Sequence, residues 1–233
     1  MKHPKFLKGQ VRKEIALACS SIPFLSLYTV PWFLFEVRGY SKLYTNVDDY
    51  GWPYLLFSVF AFLAFTDFCI YWIHRALHHR LLYARFHKPH HRWLVPTPFA
   101  SHAFHPLDGY SQSVPYHLFV YLVPMHRYLY LFMFVFVNFW TILIHDGELL
   151  TNNPVINSSA HHTIHHLYFN YNYGQYSTLW DRIGKSHRSP PYKQTESQLL
   201  NLWSKQVAEI EASQEYDPSD VYLEKAGEAK KDL

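Results

Sequence analysis

Three stretches of this chain are apolar for long enough that water cannot be their solvent. Ile15 to Phe35 contains no charged side chain and matches the roughly 20 residues a helix needs to cross a bilayer. Tyr54 to Ile73 is a second run, with Asp67 as its one charge. A third, Val114 to Ile144, is broken at Pro124-Met125-His126-Arg127. Inside lipid, backbone polar groups must be satisfied within the segment, so such runs span as helices. Pro23 and Pro31 should kink the first. A signal peptide is its competing reading, but the run lacks a clear small-residue cleavage site, which favours a retained anchor. The third region has a short first arm and a longer second one, which fits a re-entrant or tightly paired hairpin better than two full spans. The chain is therefore expected to be an all-α integral membrane protein with about four membrane-embedded helices, two spans plus a hairpin.

Composition agrees once its averaging is undone. Charged residues make up 17% of the chain, against about 25% in typical soluble proteins. Mean hydropathy is nevertheless −0.17, because 17 histidines and 19 tyrosines count as polar. The net charge of +3 is too small, and too dispersed, for a nucleic-acid partner. Cys19 and Cys69 fall in the spans, so they are packing residues and imply no disulfide framework.

Charge sets the orientation. Lys2, Lys5, Lys8, Arg12 and Lys13 precede the first span, and Arg75, Arg80, Arg85, Lys88 and Arg92 follow the second. By the positive-inside rule both groups are cytosolic. Either form of the hairpin has even parity, so residues before Val114 and after Ile144 share that side, as do both termini. The sequon Asn157-Ser158-Ser159 then lies in the cytosol and should stay unmodified. Beyond Pro190 the chain turns polar, and Leu199, Leu200, Trp203, Val207 and Ile210 fall at the spacing of one amphipathic helix. The ending Lys230-Lys231-Asp232-Leu233 has the form of a dilysine retrieval signal for the endoplasmic reticulum, or is a solvated charged tail. Three regions are expected: a basic segment with the first span at 1–53, a histidine-rich domain at 54–188, and a polar cytosolic tail at 189–233.

Histidine clusters stand on the cytosolic side: His74, His78 and His79; His87, His90 and His91; and His161, His162, His165 and His166. Side chains three or four apart share a helix face, so His74 with His78, His87 with His91, and His162 with His165 and His166 can each converge. His102, His105 and His145 join them by parity. Neutral imidazole is the commonest metal ligand, and core packing has no need of one spacing repeated three times at membrane ends. His117 and His126, alone in apolar surroundings, are expected to be satisfied core residues. Structural zinc closes with four ligands and catalytic zinc with three, so these histidines are too many for one zinc and suit two metals with five or six ligands each. There is no Cys-rich set, His-Glu-x-x-His or Glu-x-x-His, which removes iron–sulfur, zincin and carboxylate di-iron readings. Iron in a histidine-rich di-metal site, held in a cytosolic helical cap, is favoured. Asp67, seven residues before His74, shares its helix face and is expected to orient a liganding imidazole; the alternative is a polar contact between helices.

These residues resemble the membrane-bound fatty acid hydroxylase superfamily, and within it the sterol C5-desaturases, especially of the fungal type. The family's three boxes fall on His74/His78, His87/His90/His91 and His162/His165/His166. The strings "HKPHHRWLVPTPFASHAFHPLDGYSQSVPYH", "VNFWTILIHDG" and "HLYFNYNYGQYSTLWDRIG" carry the narrower likeness. Members usually have a longer N-terminal region, and some have an acidic residue where Thr163-Ile164 stand. The resemblance implies metal ligands at His74, His78 or His79, His87, His90, His91, His145, His162, His165 and His166, with His161, His102 and His105 as outer or additional groups. It further implies two iron ions, O2 as oxidant, a Δ7-sterol that loses hydrogens from C5 and C6, and electrons from cytochrome b5 and its NADH-dependent reductase. The chain carries no nucleotide loop or haem motif of its own, which agrees with an external donor. Tyr168, Phe169, Tyr171, Tyr173 and Tyr176 are expected to line a sterol channel or to anchor the protein at the headgroups. A sterol or lipid hydroxylase of the same superfamily, and a non-catalytic membrane metal-binding protein, are the competing readings.

Overall fold

The computed structural model describes residues 6–146 and 153–190. Lys2, Lys5, the tail helix and the dilysine ending lie outside these residues. Four long helices form the body: α1 (Gln10–Val37), α2 (Trp52–Leu77), α4 (Pro106–Leu122) and α5 (Arg127–Ile144). Of these, α1, α2 and α5 are long and apolar enough to cross a membrane. Their outer faces carry Leu27, Phe57, Phe60, Leu131, Phe132 and Phe139, all more than half exposed. A surface this apolar needs lipid against it. Inward, Phe62, Ile70, Phe119, Val120, Met125, Met133 and Val137 fill the space between α2, α4 and α5.

The hairpin's first arm is longer than its hydropathy suggests. Helix α4 begins at Pro106, because the polar Asp108 and Gln112 of its first turns are used inside the molecule and so escape an apolar count. Close packing at this end requires Gly109, where a Cβ would stand 2.0 Å from the Phe104 ring. Helix α1 runs on through both Pro23 and Pro31.

The two ends of the bundle have different jobs. At one, the loop after α1 is sewn to the hairpin turn. Leu43–Tyr44 (β1) pairs in parallel with Met125–His126 (β2), Lys42 N donates to Val120 O at 2.7 Å, and Tyr54 Oη donates to Pro124 O at 3.0 Å. At the other end α2 gives way to short helical pieces: α3 (Arg80–Leu82), a π turn (Tyr83–His87), 3-10 turns at His90–Arg92 and Pro98–His102, α6 (Ser159–Tyr168) and α7 (Leu179–Ile183). Helix α1 is tied to this cap by Gln10 Nε2, which donates to Val95 O at 2.9 Å, and by Glu14, which accepts from Thr97. The ends of α2 and α5 and the start of α4 all meet the cap, as even parity requires.

Candidate metal centre

Helix α6 is the oddest element by ordinary packing rules. Every residue from Ser159 to Leu167 is buried, four histidines included. Burying polar rings without partners is costly, so the question is what they face. Two groups answer it. His74, His78, His87, His91 and His165 place one ligand atom each within 4.8 Å of one another, and so do His90, His145, His162 and His166.

Hydrogen bonds on the outer side of the rings decide which nitrogen points inward. Carbonyl and carboxylate oxygens only accept, so the nitrogen facing one carries the proton. Nδ1 of His74 donates to Tyr173 O at 3.0 Å, that of His165 to Tyr171 O at 2.7 Å, and that of His87 to Asp108 Oδ2 at 2.7 Å. In the second group Nδ1 of His145 donates to Thr141 O at 2.7 Å, that of His166 to Trp93 O at 3.1 Å, and that of His90 to Ala103 O at 3.4 Å. Among the described residues no such bond orients His78, His91 or His162, and Nδ1 of His91 is buried with no partner. With the proton on Nδ1, Nε2 presents a bare lone pair.

Those lone pairs converge. Nε2 of His87 lies 3.1 Å from that of His74 and 3.1 Å from that of His91, and His91 is 3.1 Å from both His78 and His165. In the other group Nε2 of His145 is 3.2 Å from His90 and 2.9 Å from His162, which is 3.2 Å from His166. In His74–His87 and His90–His145 both rings carry the proton on Nδ1, so two lone pairs meet that cannot hydrogen-bond, and a shared cation would make the contact favourable. Imidazole nitrogens bound at about 2.1 Å to one ion stand about 3.0 Å apart at right angles and about 3.4 Å at the tetrahedral angle. The separations match the former, and five donors exceed a tetrahedral set. The residues therefore fit two six-coordinate ions side by side, with the rings of His91 and His166 only 4.6 Å apart between centroids. Burial, and then the neighbouring imidazoles, hold His78, His91, His162 and His166 well below the usual range, and bring His90 to about 3. All are neutral at pH 7, the ligating form.

The remaining expected residues fall elsewhere. His79 is exposed and caps α3, its Nδ1 accepting from Leu81 N at 3.4 Å; His78 is the one of that pair in the cluster. His161 completes the capping box of α6 with Ser158, and His105 caps α4. His102 bonds Ser101 and Asn138. Asp67 does not orient an imidazole. Its carboxylate accepts from the backbone N–H of Gln175, Tyr176 and Ser177 and from the Ser177 hydroxyl, because the loop after α6 folds back onto α2 at that level. Asp181 holds the same loop through the N–H of Tyr173 and Gly174, both at 2.8 Å. The two aspartates thus fix the loop whose Tyr173 carbonyl orients His74. The carboxylate that touches a clustered histidine is Asp108, in the first turn of α4 and unremarked in the sequence.

The tyrosine-rich segment has inward contacts. Tyr173 packs 5.0 Å from the His78 ring and 5.4 Å from that of His165, Tyr168 lies under the Arg188 guanidinium at 3.7 Å, and Tyr176 packs on Trp140. The segment braces the cluster. Asn157 of the sequon is buried and donates to Gly174 O, so its amide is used internally. Of the isolated histidines, His126 donates to Thr45 O at 2.8 Å, while His117 meets the Tyr130 hydroxyl through Nδ1 at 3.3 Å and leaves Nε2 unpartnered.

A cavity of about 210 Å³ opens beside the histidines, between α1, α4 and α5. His74, His90, His145 and His162 form one wall, and Ile70, Phe104, Phe134 and Val137 give much of the rest.

Comparison with known proteins agrees with this geometry. The fatty acid hydroxylase family model matches residues 59–186. The chain is 54% identical over 240 residues to a Delta(7)-sterol 5(6)-desaturase of Aspergillus fumigatus, covering 100% of this chain and 68% of that one. It is 58% identical over 195 residues to the lathosterol oxidase of Mus musculus, covering 82% and 65%, and 57% identical over 190 residues to a Delta(7)-sterol 5(6)-desaturase of Schizosaccharomyces pombe, covering 82% and 63%. It thus spans about two thirds of the length of these relatives. No solved structure matches it. With its histidine boxes, apolar helices and these relatives together, the chain belongs to the fatty acid hydroxylase family.

Proposed function

We propose that the protein is an O2-dependent sterol C5(6)-desaturase. A Δ7-sterol loses one hydrogen from C5 and one from C6, O2 takes these with two electrons and two protons, and a 5,7-diene and two waters result. The observation that carries this reading is an apolar cavity walled by His74, His90, His145 and His162, in a chain more than half identical to proteins named for that reaction. His74, His78, His87, His91 and His165 would hold one iron, and His90, His145, His162 and His166 the other. Iron with O2 supplies the oxidising power that an unactivated C–H bond demands and that acid–base side chains lack. The chain's own groups do the rest. Asp108 and the carbonyls of Trp93, Ala103, Thr141, Tyr171 and Tyr173 keep the protons on Nδ1, and the apolar wall excludes water from the reacting carbons. Electrons come from cytochrome b5 and its NADH-dependent reductase on the cytosolic face of the endoplasmic reticulum, where the positive-inside rule puts the cap.

Expression in a yeast strain lacking its own C5-desaturase tests this. Sterols absorbing as 5,7-dienes should reappear. An expressed, iron-loaded protein that yields none overturns the reading, and a hydroxylated lipid in their place would assign it to the hydroxylases.

A further inference from the structure

Most polar side chains that reach the cavity are already satisfied. Asn138 donates to Phe134 O at 2.7 Å and accepts from His102 at 3.2 Å. Ser113 donates to Tyr110 O at 2.8 Å, and Thr141 Oγ1 accepts from Gln175 at 3.0 Å. Gln112 differs. Its Nε2 donates to Asp108 Oδ1 at 2.7 Å, and the other oxygen of Asp108 accepts from His87. A carboxylate only accepts, so this bond fixes which end of the amide is nitrogen. Oε1 is left as an acceptor on a half-buried residue of the cavity wall, and no other side-chain hydrogen bond engages Gln112 among the described residues.

A sterol carries one group that can satisfy such an acceptor, its 3β-hydroxyl. That oxygen is three bonds from C5, a reach shorter than one helical turn of about 5.4 Å. When C5 and C6 face the histidines, the hydroxyl must therefore lie close to them. Gln112 lines the same cavity as His74, His90, His145 and His162, and through Asp108 it is two hydrogen bonds from His87. His117, whose Nε2 also lacks a partner at this cavity, lies five residues further along α4, about 7.5 Å down the axis.

We propose that Gln112 Oε1 accepts the 3β-hydroxyl of the sterol while Asp108 holds the amide, so that this anchor sets C5 and C6 before the histidines. The inference rests on the sterol reading above. It is tested by equilibrium binding to the full chain in detergent micelles, with lathosterol and its 3-deoxy counterpart cholest-7-ene as probes. The wild type should prefer lathosterol by about tenfold, the worth of one hydrogen bond that leaves no buried group unpaired. Q112M and Q112A, checked for normal metal content, should bind the two equally, and Q112M should raise KM for lathosterol about tenfold with kcat within about twofold. Undiminished preference in both variants, or loss of the preference in H117L instead, overturns the assignment of Gln112. A wild type that binds both sterols equally overturns it whatever the variants do. A wild type that binds neither sterol and forms no diene overturns the sterol reading itself, and this inference with it.

Discussion

The two histidine groups use the same ligand atom and differ in what surrounds it. The five-histidine group comes from the end of α2, the π turn and the turn after it, and α6. One member, His78, is only half-buried, and one, His87, is held by a carboxylate. The four-histidine group is buried throughout, and the outward bonds of His90, His145 and His166 go to carbonyl oxygens alone. Three of its four members line the cavity, against His74 alone from the other. Around a six-coordinate ion the first group leaves one position to be filled and the second leaves two. The first is thus the charge-anchored and more nearly filled group, and the second is the group that fronts the cavity.

Removing a ligand should have the largest effect and should separate the two. H162A strikes the cavity-side group and H165A the anchored one. Each should lower diene formation more than about 100-fold, above the 10–100-fold that outer-shell changes produce, and each should reduce bound iron from about two to about one per chain. Metal analysis of the purified variants, paired with sterol absorbance, checks this. A normal yield from H165A would remove that residue from the ligand set.

Asp108 gives a smaller and more selective test. D108N keeps an acceptor for His87 but removes the negative charge, so the affinity for one of two ions should fall about 10–100-fold while the other is unchanged. Competition with a chelator reads the two affinities separately. Equal weakening of both would erase the distinction between the groups, and no weakening would deny the carboxylate its anchoring role.

How far the sequence foretold this arrangement depends on the range of the contact involved. Helical spacing brought out His74 with His78 on α2 and His162 with His166 on α6, because neighbours four apart on one helix need no knowledge of the rest. It also joined His165 to the latter pair, whereas His165 belongs to the five-histidine group, and His87 meets His91 across a π turn and a 3-10 turn. Parity anticipated that the clusters would meet at one end of the bundle. The choice between His78 and His79 turns on one backbone angle: His78 still has helical dihedrals at the end of α2, and His79 is already extended at ψ 139. The roles of Asp67 and Asp108 were not legible, since each is a lone carboxylate, one inside α2 and one in the first turn of α4. What separates them is which distant segment lands beside each, the 175–177 loop or the π turn. The tyrosine-rich loop hid its part likewise, because its Tyr171 and Tyr173 act through backbone carbonyls, which leave no mark in side-chain chemistry.

Proton competition probes the burial that the groups share. Below the ordinary histidine value of 6.5 the unfolded chain takes up protons that the folded, metal-free chain cannot, since the folded values lie lower, at about 3 for His90. The unfolded state binds more protons, so stability rises with pH and is lost as pH falls from 6.5 toward the folded values. Each such histidine contributes up to about 1.4 kcal/mol per pH unit in that window. Metal-free protein in detergent should therefore melt lower at pH 5 than at pH 7, and H90Q should flatten the slope by one proton. A melting temperature that holds or rises on acidification would contradict the burial of these rings.

The smallest effect is expected one residue from a large one. H79A removes an exposed ring whose contact is a 3.4 Å cap on the three-residue α3. Loss of a cap typically costs about 1 kcal/mol, and so long a bond at an exposed terminus should cost less. Bound iron should stay near two per chain and diene yield within about twofold of wild type, because ligand geometry is untouched. H78A, its neighbour, removes a ring 3.1 Å from His91 and should lose iron from the five-histidine group. Side-by-side metal content settles the pair. If H79A lost iron and H78A kept it, the chain would have to leave α2 one residue later, and the five-histidine group would need to be redrawn.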